Sequence, residues 1–293
     1  MEETENRIQR NYKDTLFRMI FAEKGRLLGL YNAVNGTNYT DSDGLEIVTL
    51  ENAIYMNMKN DLAFLLGCTL NLYEHQSTFS PNMPLRNLFY IAREFEGFIN
   101  TKTLYSSKQI LLPTPRFIVF YNGLEKNWSR TQLKLSDAYK QKLDVPELEL
   151  IVTMININYG KNDELLDTCH TLWEYMMYVE KVRRYSAKMK IDKAVQRAVK
   201  ESIEEDILRD FLMRYRAEAV QMSIFEYDEE RELRLIREDE REIGREEGGI
   251  QILIEDNLEE HISEQRILEK LKRRFNLDEE EALDWISRVK VCC

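Results

Sequence analysis

The chain is short of the residues from which many common sites are built. Among 293 residues it has four cysteines and three histidines, all but the last two cysteines widely spaced. Cys68, Cys169 and the terminal Cys292-Cys293 pair fit neither a disulfide framework nor a zinc-ligand spacing. His75, His170 and His261 stand far apart, which argues against a His-rich metal centre or a Cys/His nucleophile pair. No apolar run approaches the ~20 residues that cross a bilayer, and the opening MEETENRIQR has no signal-peptide core. The expectation is a chain with no membrane span that is not secreted and resides in the cytoplasm. Cys292-Cys293 looks like a prenylation ending but lacks the usual setting for lipidation, so it reads as an exposed thiol pair.

Positive charge is also scarce: 41 Lys and Arg face 52 Asp and Glu, a net charge of −11. Split at residue 191, the first part is neutral and the whole deficit falls in the last third. An acidic balance opposes wide non-specific adhesion to nucleic acid, though not binding through a local basic surface. With 43% hydrophobic residues the chain can bury a core, and its length suits two domains.

Residues 10–34 read as a helix, with Phe17, Ile20, Phe21, Leu27, Leu28, Tyr31 and Val34 at helical spacing, ending at Asn35-Gly36. Residues 45–57, 60–66 and 69–78 read as extended. Pro84 opens a helix to about residue 99. Residues 116–121 and 148–157 are apolar runs that fit buried strands, joined by a polar connection with one short helix. From Glu164 onward the pattern is helical, at about 164–185, 191–224 and 225–248, with residues 250–257 ambiguous and a final helix pair. Ser263 is placed to start one of that pair. Asp278 with Glu281 three residues later forms a capping-box pattern for the other. The order predicts an α+β or α/β core over residues 1–185, with a three-stranded antiparallel meander, a helix and further strands. An acidic helical region, 186–293, follows it.

The most informative stretch runs from Lys59 to Ser77. Two apolar runs meet at Gly67-Cys68, and Gly-X is a permitted two-residue hairpin turn. With those turn residues, partners across the hairpin have numbers summing to 135. Leu65 then faces Leu70, Ala63 faces Leu72, Asp61 faces Glu74 and Lys59 faces Gln76, all on one face. Directly opposed residues have Cβ atoms about 4.5–5.5 Å apart. Two carboxylates so placed repel unless a proton or cation lies between them, and Mg²⁺ is an economical candidate. The other reading is a solvated sheet end, and a one-residue slip of register would place the acids on opposite faces.

Asp61, the Glu74-His75-Gln76 triplet and the following helix with Arg86 and Tyr90 resemble the PD-(D/E)XK nuclease superfamily. More narrowly, the chain is similar to the bacterial recombination-promoting nuclease and transposase-like family. The wording that carries the likeness is Tyr12–Phe17, Leu30–Gly36 and Asn71–Ser77, over about residues 10–180. The resemblance implies a restriction-endonuclease-like core and a DNA endonuclease dependent on Mg²⁺ or Mn²⁺. Asp61 and Glu74 would hold the ion, helped by the carbonyl of His75. The third position of the triplet is usually Lys, which orients or activates water. Here it is Gln76, which supplies hydrogen bonds and no charge.

In the hairpin register Lys59 is placed to supply the missing cation near a phosphate. Its other reading is a strand-end lysine in water. Asp14 either reaches the site, as the likeness in its wording implies, or starts a helix by stabilising exposed amides. Arg86 and Tyr90, four apart on a helix, are candidates for the DNA backbone or an ordinary surface pair. The run 181–190 carries five positive charges and no negative ones, which makes Arg183, Arg184 and Lys188 candidates for phosphate contact. The alternative is a solvated helix end with cations near its C-terminus. The helical region from 191 packs on the core or joins two copies as a homodimer. A catalytically silent relative that binds nucleic acid or a protein through the same fold is the alternative to a nuclease.

Overall fold

A computed structural model describes residues 16–48, 62–99, 104–105, 107–275 and 277–292. The chain divides into two compact units between Asp228 and Glu229.

The first unit is built on a mixed six-stranded sheet. Its strands are β1 (Leu45–Ile47), β2 (Leu62–Leu66), β3 (Thr69–Gln76), β4 (Thr114–Tyr121), β5 (Arg130–Lys134) and β6 (Ile151–Asn156), in the order β1-β2-β3-β4-β6-β5. β1, β2 and β3 form an antiparallel meander; β3, β4 and β6 are parallel; β5 returns antiparallel on β6. A parallel pair needs a crossover, and between β3 and β4 it contains helix α3 (Met83–Phe98), with Pro84 in its first turn. The expected meander, helix and further strands are all present in an α+β fold with a helical C-terminal region, and two of the further strands, β4 and β6, run parallel to β3.

The strand period of two divides the sheet into two apolar faces. Leu70 and Leu72 of β3, Val119 and Tyr121 of β4, and Met154 of β6 share one cluster with Met83, Tyr90 and Ile91 of α3. Phe64, Tyr73 and Phe120 belong to the other cluster. There they join α1 (Leu16–Phe21), α2 (Lys24–Asn35), α4 (Asp163–Thr168), α5 (His170–Ser186), α6 (Ile191–Glu204) and α7 (Arg209–Arg214). Helix α8 (Arg216–Glu259) begins in this unit.

Three expectations change. The helix read over 10–34 is interrupted at Ala22 and Glu23, and its part before Leu16 lies outside the described residues. Of the strand read over 45–57, Leu45–Ile47 is present and residues 49–57 lie outside the described residues. The polar connection before β6 contains β5 and a 3₁₀ turn, Leu135–Ala138. β5 (RTQLK) escapes an apolar-pattern reading because it is an edge strand, its Arg130, Gln132 and Lys134 exposed. The helix read over 191–224 breaks after Glu204, where Asp206 and Leu208 take positive φ values of 63° and 48°. That reversal buries Ile207 and Leu208, and the Leu208 amide donates to Glu174 Oε1 at 2.9 Å.

The second unit holds the rest of α8, with α9 (Glu264–Phe275) and α10 (Glu279–Cys292). Ile250, Leu253 and Ile254 pack with Ile267 and Leu271 of α9 and Ala282 and Ile286 of α10. α8 runs through Gly244, Gly248 and Gly249 without a break, so the ambiguous 250–257 stretch is helical. A Cβ on Gly249 would meet the Phe275 ring at 3.4 Å, an ordinary contact distance. The capping box forms as the sequence predicts. Glu281 N donates to Asp278 Oδ1 and Asp278 N to Glu281 Oε2, both at 2.9 Å. No helix among the described residues is long and apolar enough to cross a membrane.

Candidate carboxylate site at the end of β3

The β2–β3 hairpin turns at Gly67-Cys68, with Gly67 at φ 59°, a left-handed conformation that favours glycine. Leu66 pairs with Thr69, Leu65 with Leu70, Phe64 with Asn71, Ala63 with Leu72 and Leu62 with Tyr73. Every pair sums to 135, as the turn chemistry predicts. Asp61 and Lys59, the residues that this sum assigns to Glu74 and Gln76, lie outside the described residues, as does Asp14.

Glu74 and Gln76 occupy the α3 face at the C-terminal end of β3. In the parallel register Glu74 stands beside Val119 and Gln76 beside Tyr121. Glu74 is only 5% exposed, a costly place for an ionised carboxylate without partners. Arg86 Nη2 donates to Glu74 Oε1 at 2.7 Å, and Gln76 Nε2 donates to the same oxygen at 3.1 Å. Arg86 lies in the first turn of α3, where the helix dipole also favours a nearby negative charge. Met83, Arg86 and Tyr90 fall on one side of α3. Met83 Sδ accepts from Gln76 Nε2 at 2.8 Å and more distantly from Arg86 Nη1 at 3.5 Å, and Tyr90 Oη is 3.5 Å from Arg86 Nη2. The site therefore joins Glu74, Gln76, Arg86 and Tyr90. Sequence reading gave Arg86 either the DNA backbone or an ordinary surface pair, and missed both its bond to Glu74 and the part played by Met83.

His75 points to the opposite face, as alternation requires. Its ring stacks on Phe17 with centroids 5.0 Å apart, and its Nε2 lies 3.1 Å from the Tyr175 hydroxyl. Burial, with a smaller contribution from the Arg183 charge, lowers its pKa from 6.5 to about 3. The imidazole is thus neutral at physiological pH and belongs to the packing of that face. Only the backbone carbonyl of His75 is a candidate for an ion held by Glu74.

The basic run 181–190 is partly consumed by the fold. Lys181 pairs with Glu205 at 2.7 Å. Arg183 donates to the Asn122 carbonyl at 2.6 Å and to Asn158 Oδ1 at 3.0 Å, binding α5 to the exits of β4 and β6. Arg184 lies over the Tyr185 ring at 4.9 Å and 4.0 Å from Glu201. Arg184, Lys188 and Lys190 are exposed. Among the described residues, no three His, Cys, Asp or Glu side chains gather as a cation site. Compared with protein-family models, curated proteins and solved structures, the chain matches none.

Proposed function

We propose that the chain is a divalent-metal-dependent DNA endonuclease with a restriction-endonuclease-like core and its site at the end of β3. The observation that carries this reading is the hairpin register. Five consecutive pairs, ending at Leu62 with Tyr73, sum to 135, and the same sum would assign Asp61, outside the described residues, to Glu74. A buried carboxylate at the end of a central strand, facing a helix that carries Arg86, supports the same reading.

The available donors suit a hard cation. They are all oxygens: the Glu74 carboxylate, the His75 carbonyl and the Gln76 amide, to which a continued register would add the Asp61 carboxylate. Gln76 Oε1 is buried and has no hydrogen-bond partner among the described residues. Asp61, Glu74 and the His75 carbonyl would hold Mg²⁺ or Mn²⁺. When bound, the ion supplies Lewis-acid polarisation of a phosphate oxygen and lowers the pKa of a water. Gln76 holds the Glu74 carboxylate through Nε2 and leaves Oε1 to accept a hydrogen bond from a water. Arg86, at the edge of the site, provides charge for a phosphate, as does Lys59 in the register that pairs it with Gln76. Asp14 joins the acidic groups. Arg184 and Lys188 are among the exposed cations of the 181–190 run left for the DNA backbone, and the C-terminal helices provide for a homodimer.

The second reading is a catalytically silent nuclease fold that binds nucleic acid or protein. The Arg86–Glu74 bond favours it, because a guanidinium already neutralises the carboxylate. Cleavage of supercoiled and linear DNA with Mg²⁺, Mn²⁺ or EDTA separates the two, with Asp61→Ala and Glu74→Ala beside the wild type. The nuclease reading requires metal-dependent cutting that is lost in both variants. DNA binding without cutting under either metal selects the silent module.

A further inference from the structure

We propose that a second pocket, away from the β3 carboxylate, binds a small organic cation: an ammonium or guanidinium group carried on an apolar body. The pocket lies where β4 and β6 end, against α4 and α5, and its volume is about 570 Å³. That size suits a small ligand, and the ends of parallel strands are a common place for one. None of its lining residues belongs to the Glu74 group, so it stands independently of the nuclease reading.

Buried Leu166 and Met176 line it together with the half-buried Trp173 and Met177. Leu124 and Tyr159, on the loops that leave β4 and β6, are 68% and 77% exposed beside them. Single exposed apolar residues are ordinary, but two at the mouth of a concave apolar wall mark a binding surface. The two loops are tied together before any ligand arrives. Asn158 Nδ2 donates to the Gly123 carbonyl at 2.8 Å and to Asn156 Oδ1 at 2.9 Å, while its Oδ1 accepts from Arg183 at 3.0 Å. Preformed walls lower the ordering cost of binding. Asn158 is thereby engaged in the framework, and Glu180 is the one acid or base, tyrosine apart, among the described residues that line the pocket.

Charge decides the class of ligand. Residues 163–180, which form one wall through α4 and α5, contain Asp163, Glu164, Asp167, Glu174 and Glu180 and no Lys or Arg. Glu180 is exposed and makes no ion pair with another described residue. The nearby cations have partners elsewhere: Lys181 meets Glu205, Arg184 meets Glu201, and Lys161 donates to Asn127 Oδ1. His170 stacks on Trp173 with centroids 5.4 Å apart, which steadies that ring. A carboxylate beside an indole attracts a cation through both its charge and the ring quadrupole. The same acids repel a phosphate, which opposes a nucleotide in this pocket.

The test uses the full chain labelled with ¹³C at the methionine methyls, titrated at pH 7 with 2-phenylethylammonium and with its neutral counterpart 2-phenylethanol. Met176→Leu and Met177→Leu identify the two methyl signals in the pocket. Both signals should shift with the cation, which should bind about tenfold more tightly than the alcohol. Glu180→Gln, an exposed change, should remove that tenfold preference and leave the alcohol's affinity as it was. Equal affinities for the two probes in the wild type overturn the cation reading, as does an undiminished preference in Glu180→Gln. Methyl signals that stay fixed with the cation overturn the pocket itself. Shifts produced by a lysine-rich peptide and not by the small cation overturn the small-ligand reading in favour of a protein partner.

Discussion

The Tyr175 hydroxyl lies 3.1 Å from Nε2 of His75, across the face of the sheet opposite to Glu74. Phe17 stacks on the same imidazole, and Tyr175 also meets it edge-on at 86°. A protonated ring there would lose water and gain the repulsion of Arg183. Both effects hold His75 neutral and take its pKa down to about 3.

Acid sensitivity follows from this with a definite sign. The unfolded chain protonates His75 near 6.5, but the folded one does so only near 3. Between these values the unfolded state binds more protons, so folding stability falls as pH drops below about 6.5. His75→Phe keeps an aromatic ring in the stack and removes the titration. Its urea midpoint should decline less than the wild type's between pH 6.5 and 4. Parallel declines would show that His75 has no part in acid unfolding.

At the neighbouring strand exits, the backbone admits no side chain at Gly123. A Cβ there would stand 2.0 Å from the Ser77 carbonyl oxygen and 2.5 Å from the Tyr121 hydroxyl. Asn122 N donates to the Gln76 carbonyl at 3.0 Å, so the same approach holds the end of β3 against the end of β4. Gly123→Ala should destabilise the first unit by about 3 kcal/mol through overpacking. A variant with an unchanged denaturant midpoint would contradict that close approach.

What was legible in the sequence depended on short-range rules. Gly67-Cys68 and strict alternation fixed the hairpin register, since a slip would expose Leu70 and Leu72. Pro84 and the apolar spacing after it located α3. The Arg86–Glu74 bond was not legible, because it joins a strand and a helix whose relative placement no local pattern encodes. For the same reason Arg183 read as a surface cation, although its guanidinium bonds the Asn122 carbonyl, 61 positions away. β5 was missed because only one side of it is covered, and its pairing with β6 supplies what its composition does not.

The capping box at the start of α10 is a purely local device. Asp278→Ala removes the acceptor for Glu281 N, and a cost of about 1 kcal/mol is expected. Because the second unit has its own apolar core, the loss should appear there first. Amide exchange at residues 279–282 should accelerate, while exchange in β3 and β4 stays as in the wild type. Equal acceleration in both units would show that the cap acts on the whole chain.

Glu94 presents the opposite linkage to His75. It lies on the buried side of α3, and its Oε1 has no hydrogen-bond partner among the described residues. Burial raises its pKa above 4.5. The folded state therefore holds a proton that the unfolded state releases, and stability declines as pH rises above 4.5 through the folded value. Glu94→Gln removes the ionisable group and keeps the shape. It should be more stable than the wild type at pH 7, by about 1 kcal/mol, and so melt at a higher temperature, with the gain shrinking toward pH 4 as the wild-type carboxyl takes up its proton. The Gln variant still buries polar atoms, so the gain measures the cost of charge and not that of polarity. Thermal melts of both proteins at pH 4 and pH 7 check this. A gain that is equal at the two values would assign the effect to packing instead.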